Sequence, residues 1–333
     1  MSEEIIEPRQ KLFTKVGWKE ILAILFLGVA VYFFWKERKE LETLGHSLKN
    51  TDQFWLWIGI AFTAVYILLQ AALYVYSFYA VKGKISWLTA IILFLKRNVI
   101  AVFLPGGGLT ALGYMPSGIA SSTGEKQKVH HASVVYGFIG IFSVFIVAVP
   151  VLLYLSFQHT PVPGTTAAFI TVVAMLAAMV LFVRSVQHQG PFYRWAIKGR
   201  PKLEKFLQEV FSFDLEMKQF WYAVIVSIFI EIVGVVHLYI AMYAATVPPS
   251  LPACIVAYII STIFLIISPF LRGMGAIEVS LTLILKGYGY TTVESLEIAI
   301  LFRFFEFWLP LGAGLITYAT KARAFFYKKT SVV

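Results

Sequence analysis

Charge is scarce in this sequence and cysteine almost absent. Asp, Glu, Lys and Arg make up 14% of 333 residues while hydrophobic residues reach 59%; an ordinary soluble domain carries about a quarter charged residues. So little charge over so long a chain excludes a water-soluble globular protein. The single cysteine, Cys254, excludes an internal disulfide and any multi-cysteine metal site. HExxH and GxSxG are missing, no Ser-His-Asp order can be traced, and the glycines lack Walker-type spacing. His130 and His131 lie near Glu125, with no third ligand close by. No enzymatic activity, cofactor or metal site is therefore expected. Low-complexity tracts and a soluble domain are also lacking.

Long apolar runs take their place. Six segments are long enough to cross a bilayer core, for which about 20 apolar residues suffice: 18–35, 54–81, 133–155, 165–183, 219–245 and 296–320. The acidic start "MSEEIIEPRQ" and the lack of a small-residue cleavage site make the first of these a retained helix, not a signal peptide. Two further apolar stretches, 86–120 and 251–287, are interrupted. The first carries Lys96 and Arg97 and then Pro105-Gly106-Gly107-Gly108; the second breaks at Pro269 in "SPFLRGMG". About a dozen apolar residues follow each break, too few for a span. Such pieces fit re-entrant hairpins, whose irregular backbone is tolerated where protein or water surrounds it.

The distribution of cations supports that layout. The net charge of +10 is read as orientation and attraction to anionic lipid, not as a nucleic-acid surface. With the N-terminus inside, the inner segments hold Arg9, Lys11, Lys15, Lys19, Lys82, Lys84, Lys126 and Lys128, seven cations between 184 and 218, and four between 321 and 329. The outer loops "SFQHTPVPGTT" and "TVPPSLPA" contain no Asp, Glu, Lys or Arg. The positive-inside rule holds only if both broken segments return to the side they entered from. Both termini are then cytoplasmic, in a bacterial-type inner (cell) membrane.

The fold expected is an all-α polytopic membrane protein of six crossings and two broken hairpins. It forms a single transmembrane domain over 1–333, with pseudo-repeat units 54–155 and 219–320 of opposite orientation. Pro105 and Pro269 fall at corresponding places, 164 residues apart. Inverted repeats whose broken helices meet near the midplane are a recurrent transporter plan. Between the units, 186–217 mixes cations with Phe192, Tyr193, Trp195, Phe206 and Phe211. It reads either as a cytoplasmic amphipathic helix on an anionic leaflet or as a polar linker.

The candidate site residues follow from these breaks. A cation inside a span costs roughly 2.5–3.5 kcal/mol on insertion scales, so it faces a cavity or a partner. Lys96 and Arg97 are read as attracting a headgroup phosphate or as snorkelling from a shallow hairpin. A short helix beginning after Gly106, Gly107 and Gly108, or after Gly273 and Gly275 beside Arg272, would aim its free amides at an anion; the alternative is a tight turn between packed helices. Four charges lie in the second unit: Glu231, Glu278, Arg303 and Glu306. Arg303 and Glu306, three apart on a helix, can neutralise each other; otherwise Arg303 holds phosphate while Glu231 or Glu278 meets a cationic headgroup or a proton. His237 is read as a hydrogen-bonded helix residue.

The second hairpin and last crossing, "SPFLRGMGAIEVSLTLILKGYGYTTVESLEIAILFRFFEFWLPLGAGLITY", resemble the transmembrane family of lysylphosphatidylglycerol synthase/flippase proteins. The matching positions are Pro269, Gly273, Gly275, Glu278, Gly287, Arg303, Trp308, Pro310 and Gly314. "FLPGGG" is similar to the family's first Pro-Gly-Gly element. In two places the sequence departs: "SPFLRGMG" replaces the usual Pro-Gly-Gly, and "LTALGYMPSGIASS" lacks the Arg often found there. The resemblance implies a flippase-type module moving a phospholipid, aminoacyl-phosphatidylglycerol being one candidate. The aminoacyl-transferase domain of the synthases is not seen, so synthase activity is not expected. A secondary transporter of a small molecule or ion, or a membrane anchor for a separate lipid-modifying enzyme, stays open, as does a homo-oligomer.

Overall fold

The computed structural model describes residues 51–103, 126–156, 214–267 and 276–330, with Leu48 and further positions between 169 and 204. Two compact units divide the chain, 1–43 and 44–333; every described residue belongs to the second. All its described elements are helical. In chain order they are α1 Gln53–Ala80, α2 Trp87–Phe103, α3 Lys126–Ser156, the short α4 Pro191–Ile197, α5 Met217–Ala244, α6 Leu251–Ile267, α7 Ala276–Gly287, α8 Thr292–Arg303 and α9 Leu309–Thr330. A five-residue π-helical turn, Phe304–Trp308, joins α8 to α9.

Four stretches have the length and apolarity of membrane spans: Gln53–Ala80, Lys128–Leu153, Met217–Ala244 and Thr292–Ala319. Each coincides with an expected crossing. The helix α3 starts well before residue 133, because the polar turns from Lys126 to His131 continue the helix beyond its apolar stretch. The crossing expected at 18–35 lies outside the described residues, and that at 165–183 is described only at separate positions, all helical. Outward-facing Leu68 on α1, Phe229 and Ile232 on α5 and Leu283 on α7 are exposed, as side chains bathed in hydrocarbon would be.

Two helix pairs, α1–α2 and α5–α6, match in detail. Both long members have 28 residues and both short ones 17. The Asp52 amide donates to the Ala244 carbonyl (3.0 Å), and the Glu216 amide donates to the Ala80 carbonyl (2.8 Å). Thus α1 and α5 lie antiparallel, each bonded at its start to the other's end. Two residues past each helix end sits a left-handed residue, Lys82 (φ 54°) and Thr246 (φ 57°). Ser86 and Ser250 then cap α2 and α6 through their hydroxyls, at 3.2 Å to the Thr89 amide and 3.4 Å to the Ala253 amide. Every one of these correspondences is displaced by 164 residues, the separation of Pro105 and Pro269.

The contacts cross between the two halves. The helix α2 packs on α9, and α6 packs on both α3 and α7. At the α2–α9 crossing Gly314 allows the closest approach: a Cβ there would lie 2.7 Å from the Leu95 carbonyl oxygen and 2.5 Å from the Val99 side chain. Buried Leu, Ile, Val, Phe and Ala fill two clusters, one centred on α5 to α8 and one on α1, α2 and the first half of α3.

Candidate functional site

The C-terminal helices gather their charges by folding α7 back along α6 and against α8. That packing returns Glu278, in the first turn of α7, to Arg303 at the end of α8. The Arg303 guanidinium Nη1 donates to Glu278 Oε1. It also lies 4.6 Å from the centre of the Phe307 ring. The Arg303 side chain is 2% exposed, so this is an ion pair removed from solvent on one side and tethered at a helix junction. A pair so buried gains little net energy, yet losing one member strands a charge and costs about 3–5 kcal/mol.

Arg303 and Glu306 therefore do not neutralise each other as their spacing suggests. Glu306 lies within the π turn, where hydrogen bonds skip an extra residue and the i, i+3 alignment of an α-helix no longer applies. The Leu309 amide donates to the Phe304 carbonyl, five residues back. Pro310, five residues beyond Phe305, has no N–H to give. The orphaned Phe305 carbonyl instead accepts from the Thr63 hydroxyl of α1, at 3.1 Å. Gly59, one turn before Thr63, makes room for this: a Cβ there would fall 2.2 Å from Phe305 Cζ. Wide turns of this kind occur frequently at functional sites.

Released from Arg303, Glu306 reaches His237 on α5, with Oε1 2.7 Å from Nδ1. The imidazole is fully buried. It stacks on Phe305 and meets the edges of Phe62 and Tyr66. Its other nitrogen, Nε2, is buried with no hydrogen-bond partner among the described residues. Two turns earlier on α5, Glu231 is also buried. Its carboxylate accepts from the Ser143 hydroxyl of α3 at 3.1 Å and from the Tyr258 hydroxyl of α6 at 2.9 Å. Ser227 lies 2.8 Å from Ser143 and completes the hydroxyl chain.

The helices α1 to α3 hold their cations differently. Lys96 and Arg97 are each 4% exposed, so neither snorkels to the surface. Arg97 donates to the Tyr74 hydroxyl at 3.1 Å and lies 5.5 Å from that ring's centre. Lys96 Nζ sits 5.2 Å from the centre of the Tyr318 ring on α9. Tyr74 stacks on Tyr136 at 3.8 Å, and Tyr136 donates to Gln70.

Of the residues singled out in the sequence, Glu278 and Arg303 are brought together, Glu306 meets His237, and Glu231 is held by Ser143 and Tyr258. Lys96 and Arg97 form a separate group. Pro105, Gly106, Gly107, Gly108, Arg272, Gly273 and Gly275 lie outside the described residues. The sequence reading missed Ser143, Ser227, Tyr258, Tyr74, Tyr136 and Thr63 as partners; hydroxyls inside otherwise apolar runs were the signal available. Among the described residues no group of three or more His, Cys, Asp or Glu could hold a metal ion.

No curated protein and no solved structure matches this chain significantly. Residues 21–314 match the model of a family described as the lysylphosphatidylglycerol synthase TM region. That match spans most of the chain and includes Glu278, Arg303, Pro310 and Gly314. A multi-pass helical membrane protein with this match belongs to the lysylphosphatidylglycerol synthase TM-region family.

Proposed function

We propose that the protein is a flippase-like transporter that carries a phospholipid headgroup between leaflets, with aminoacyl-phosphatidylglycerol as one substrate, and that it performs no chemical step. The observation that carries this reading is the buried Arg303–Glu278 pair where the second broken segment meets the last span. A headgroup bearing both phosphate and amine could exchange with it: phosphate takes the guanidinium from Glu278, and the freed carboxylate receives the amine. Bidentate recognition of phosphate suits arginine in particular. The 164-residue displacement shared by the caps, turns and lengths of α1–α2 and α5–α6 supports two units of inverted orientation, the plan on which alternating access is commonly built. In this reading both termini face the cytoplasm of a bacterial-type inner membrane.

The test is a liposome assay with headgroup-labelled lipids, anionic and aminoacylated, and the full chain reconstituted. Faster exchange than in empty liposomes is expected, with loss on Arg303→Gln. Unchanged leaflet distribution for every lipid would sink the proposal. A second reading, an ion-coupled transporter of a small solute, draws on the buried Glu231, His237 and Glu306. Solute uptake without lipid movement would favour it.

A further inference from the structure

The pairing of Arg303 with Glu278 leaves a second buried couple, His237 with Glu306, that phosphate recognition does not use. We propose that His237 and Glu306 form a one-proton binding site within the spans, and that its loading favours binding of an anion at Arg303. The first half stands on the geometry alone; the second rests on Arg303 being the phosphate site.

The chemistry follows from the hydrogen bond and the burial. An ionised carboxylate only accepts, so a 2.7 Å contact to Nδ1 places the imidazole proton on Nδ1, donating to Glu306. Nε2 then presents a lone pair that is buried and, among the described residues, unmatched by any donor. The unpartnered nitrogen is costly in either protonation state, and so is the couple's buried negative charge; a single added proton removes that charge. The couple holds one negative charge when empty and none when loaded. Loading transfers a proton from water to the couple and breaks no other bond, whether the proton rests on imidazole or carboxylate.

The surroundings decide what that charge change does. From α1 the couple faces Tyr66, which is neutral, together with Phe62. On α5 itself Glu231 lies two turns away, and α6 contributes Tyr258, both within electrostatic reach of Glu306. Arg303 precedes Glu306 by three residues, and α7 supplies Glu278 to it. Arg303 and Glu278 cancel, so the empty couple leaves this set with excess negative charge, to which Glu231 adds whenever it is ionised. An anionic phosphate approaching Arg303 is repelled by that excess and welcomed once the couple is loaded. Because linkage is reciprocal, bound phosphate must then hold the proton more tightly by the same factor, on the order of 10-fold for a typical coupling.

The experiment uses the full chain reconstituted in liposomes. Infrared difference spectra between acidic and alkaline buffers should show either a protonated-carboxyl band or an imidazolium band. That band should vanish in both Glu306→Gln and His237→Gln and survive Glu231→Gln. A wild-type spectrum with neither band, or a band that persists without either residue, would overturn the site. Movement of labelled phospholipid is then followed with the two sides at equal or unequal pH. Faster movement from the acidic side is expected, with labelled phospholipid bound roughly 10-fold more tightly at acidic than at alkaline pH. Bands present with pH-independent movement would overturn the coupling alone. Bands present with no lipid movement at all would instead overturn the flippase reading and leave the proton site standing.

Discussion

The helix pairs α1–α2 and α5–α6 share lengths, caps and turns, yet their interiors are filled with different chemistry. Where α1 carries Ile67 and Leu73, α5 carries Glu231 and His237 at the same displacement. Where α2 carries Arg97, α6 carries Ser261, and Phe94 is replaced by Tyr258. The first pair therefore holds cations against phenol rings, and the second holds the Glu231 carboxylate against hydroxyls and the His237 imidazole against Glu306. Backbone architecture is specified by caps and by reach; what the interior binds is specified by a few side chains. The two can diverge independently.

If the second region carries function, its disruption should be the more severe. Arg303→Gln strands Glu278 and should lower stability by about 3–5 kcal/mol, measured by thermal unfolding in detergent. The double variant Arg303→Gln/Glu278→Gln should recover most of that stability without recovering lipid movement. Equal loss of movement from Lys96→Met would erase the proposed distinction between the regions.

Next in size are changes at the π turn. Gly59→Ala drives a Cβ into Phe305, whose ring is stacked on His237 and cannot yield freely; overpacking of this kind costs about 1–3 kcal/mol. Thr63→Val removes the donor to the Phe305 carbonyl and should cost about the same, roughly 1–3 kcal/mol, as a buried acceptor left unmatched. Melting curves that do not shift for either variant would show that the turn is not held from α1. Lys96→Met gives up a cation–π contact and should cost less, about 0.5–2 kcal/mol.

The smallest effect is expected outside the spans. Lys82 and Asp214 pair at 2.5 Å, with side chains 58% and 82% exposed. The hydrogen bond from Lys82 holds the Asp214 carboxyl below its usual range, and the same bond raises the Lys82 ammonium. Any stabilisation from Asp214 is present above its unfolded pKa and lost as pH falls through the lowered folded value. For Lys82 it is present below the unfolded pKa and lost as pH rises through the raised one. The pair is thus intact at neutral pH but open to screening, within a Debye length of about 8 Å at physiological salt. Asp214→Asn should leave the melting temperature unchanged in that salt; a clear drop would give this exposed pair a role comparable to the buried ones.

The long helices were legible because apolar runs record their own length. Expected crossings at 54–81 and 219–245 differ from α1 and α5 by a residue or two at each end. The dozen apolar residues expected after the second break match the 12 of α7. Partnerships were not legible. Helical spacing directed Arg303 to Glu306, and the π turn, which follows from Pro310 and from Thr63 on a distant helix, redirected both. His237 and Glu306 are 69 residues apart, and no local pattern encodes their meeting. The repeated displacement of 164 residues was visible only in the two prolines, since caps and left-handed turns impose few residue types.

The reciprocal end bonds of α1 and α5 have a mechanical consequence. Sliding one helix along the other by a single residue, about 1.5 Å, would break the Asp52–Ala244 and Glu216–Ala80 bonds together. Rocking about their common line of contact strains neither bond. The two bonds thus pin the axial register of α1 against α5 and constrain their tilt less, with α2 and α6 following the ends of the pair.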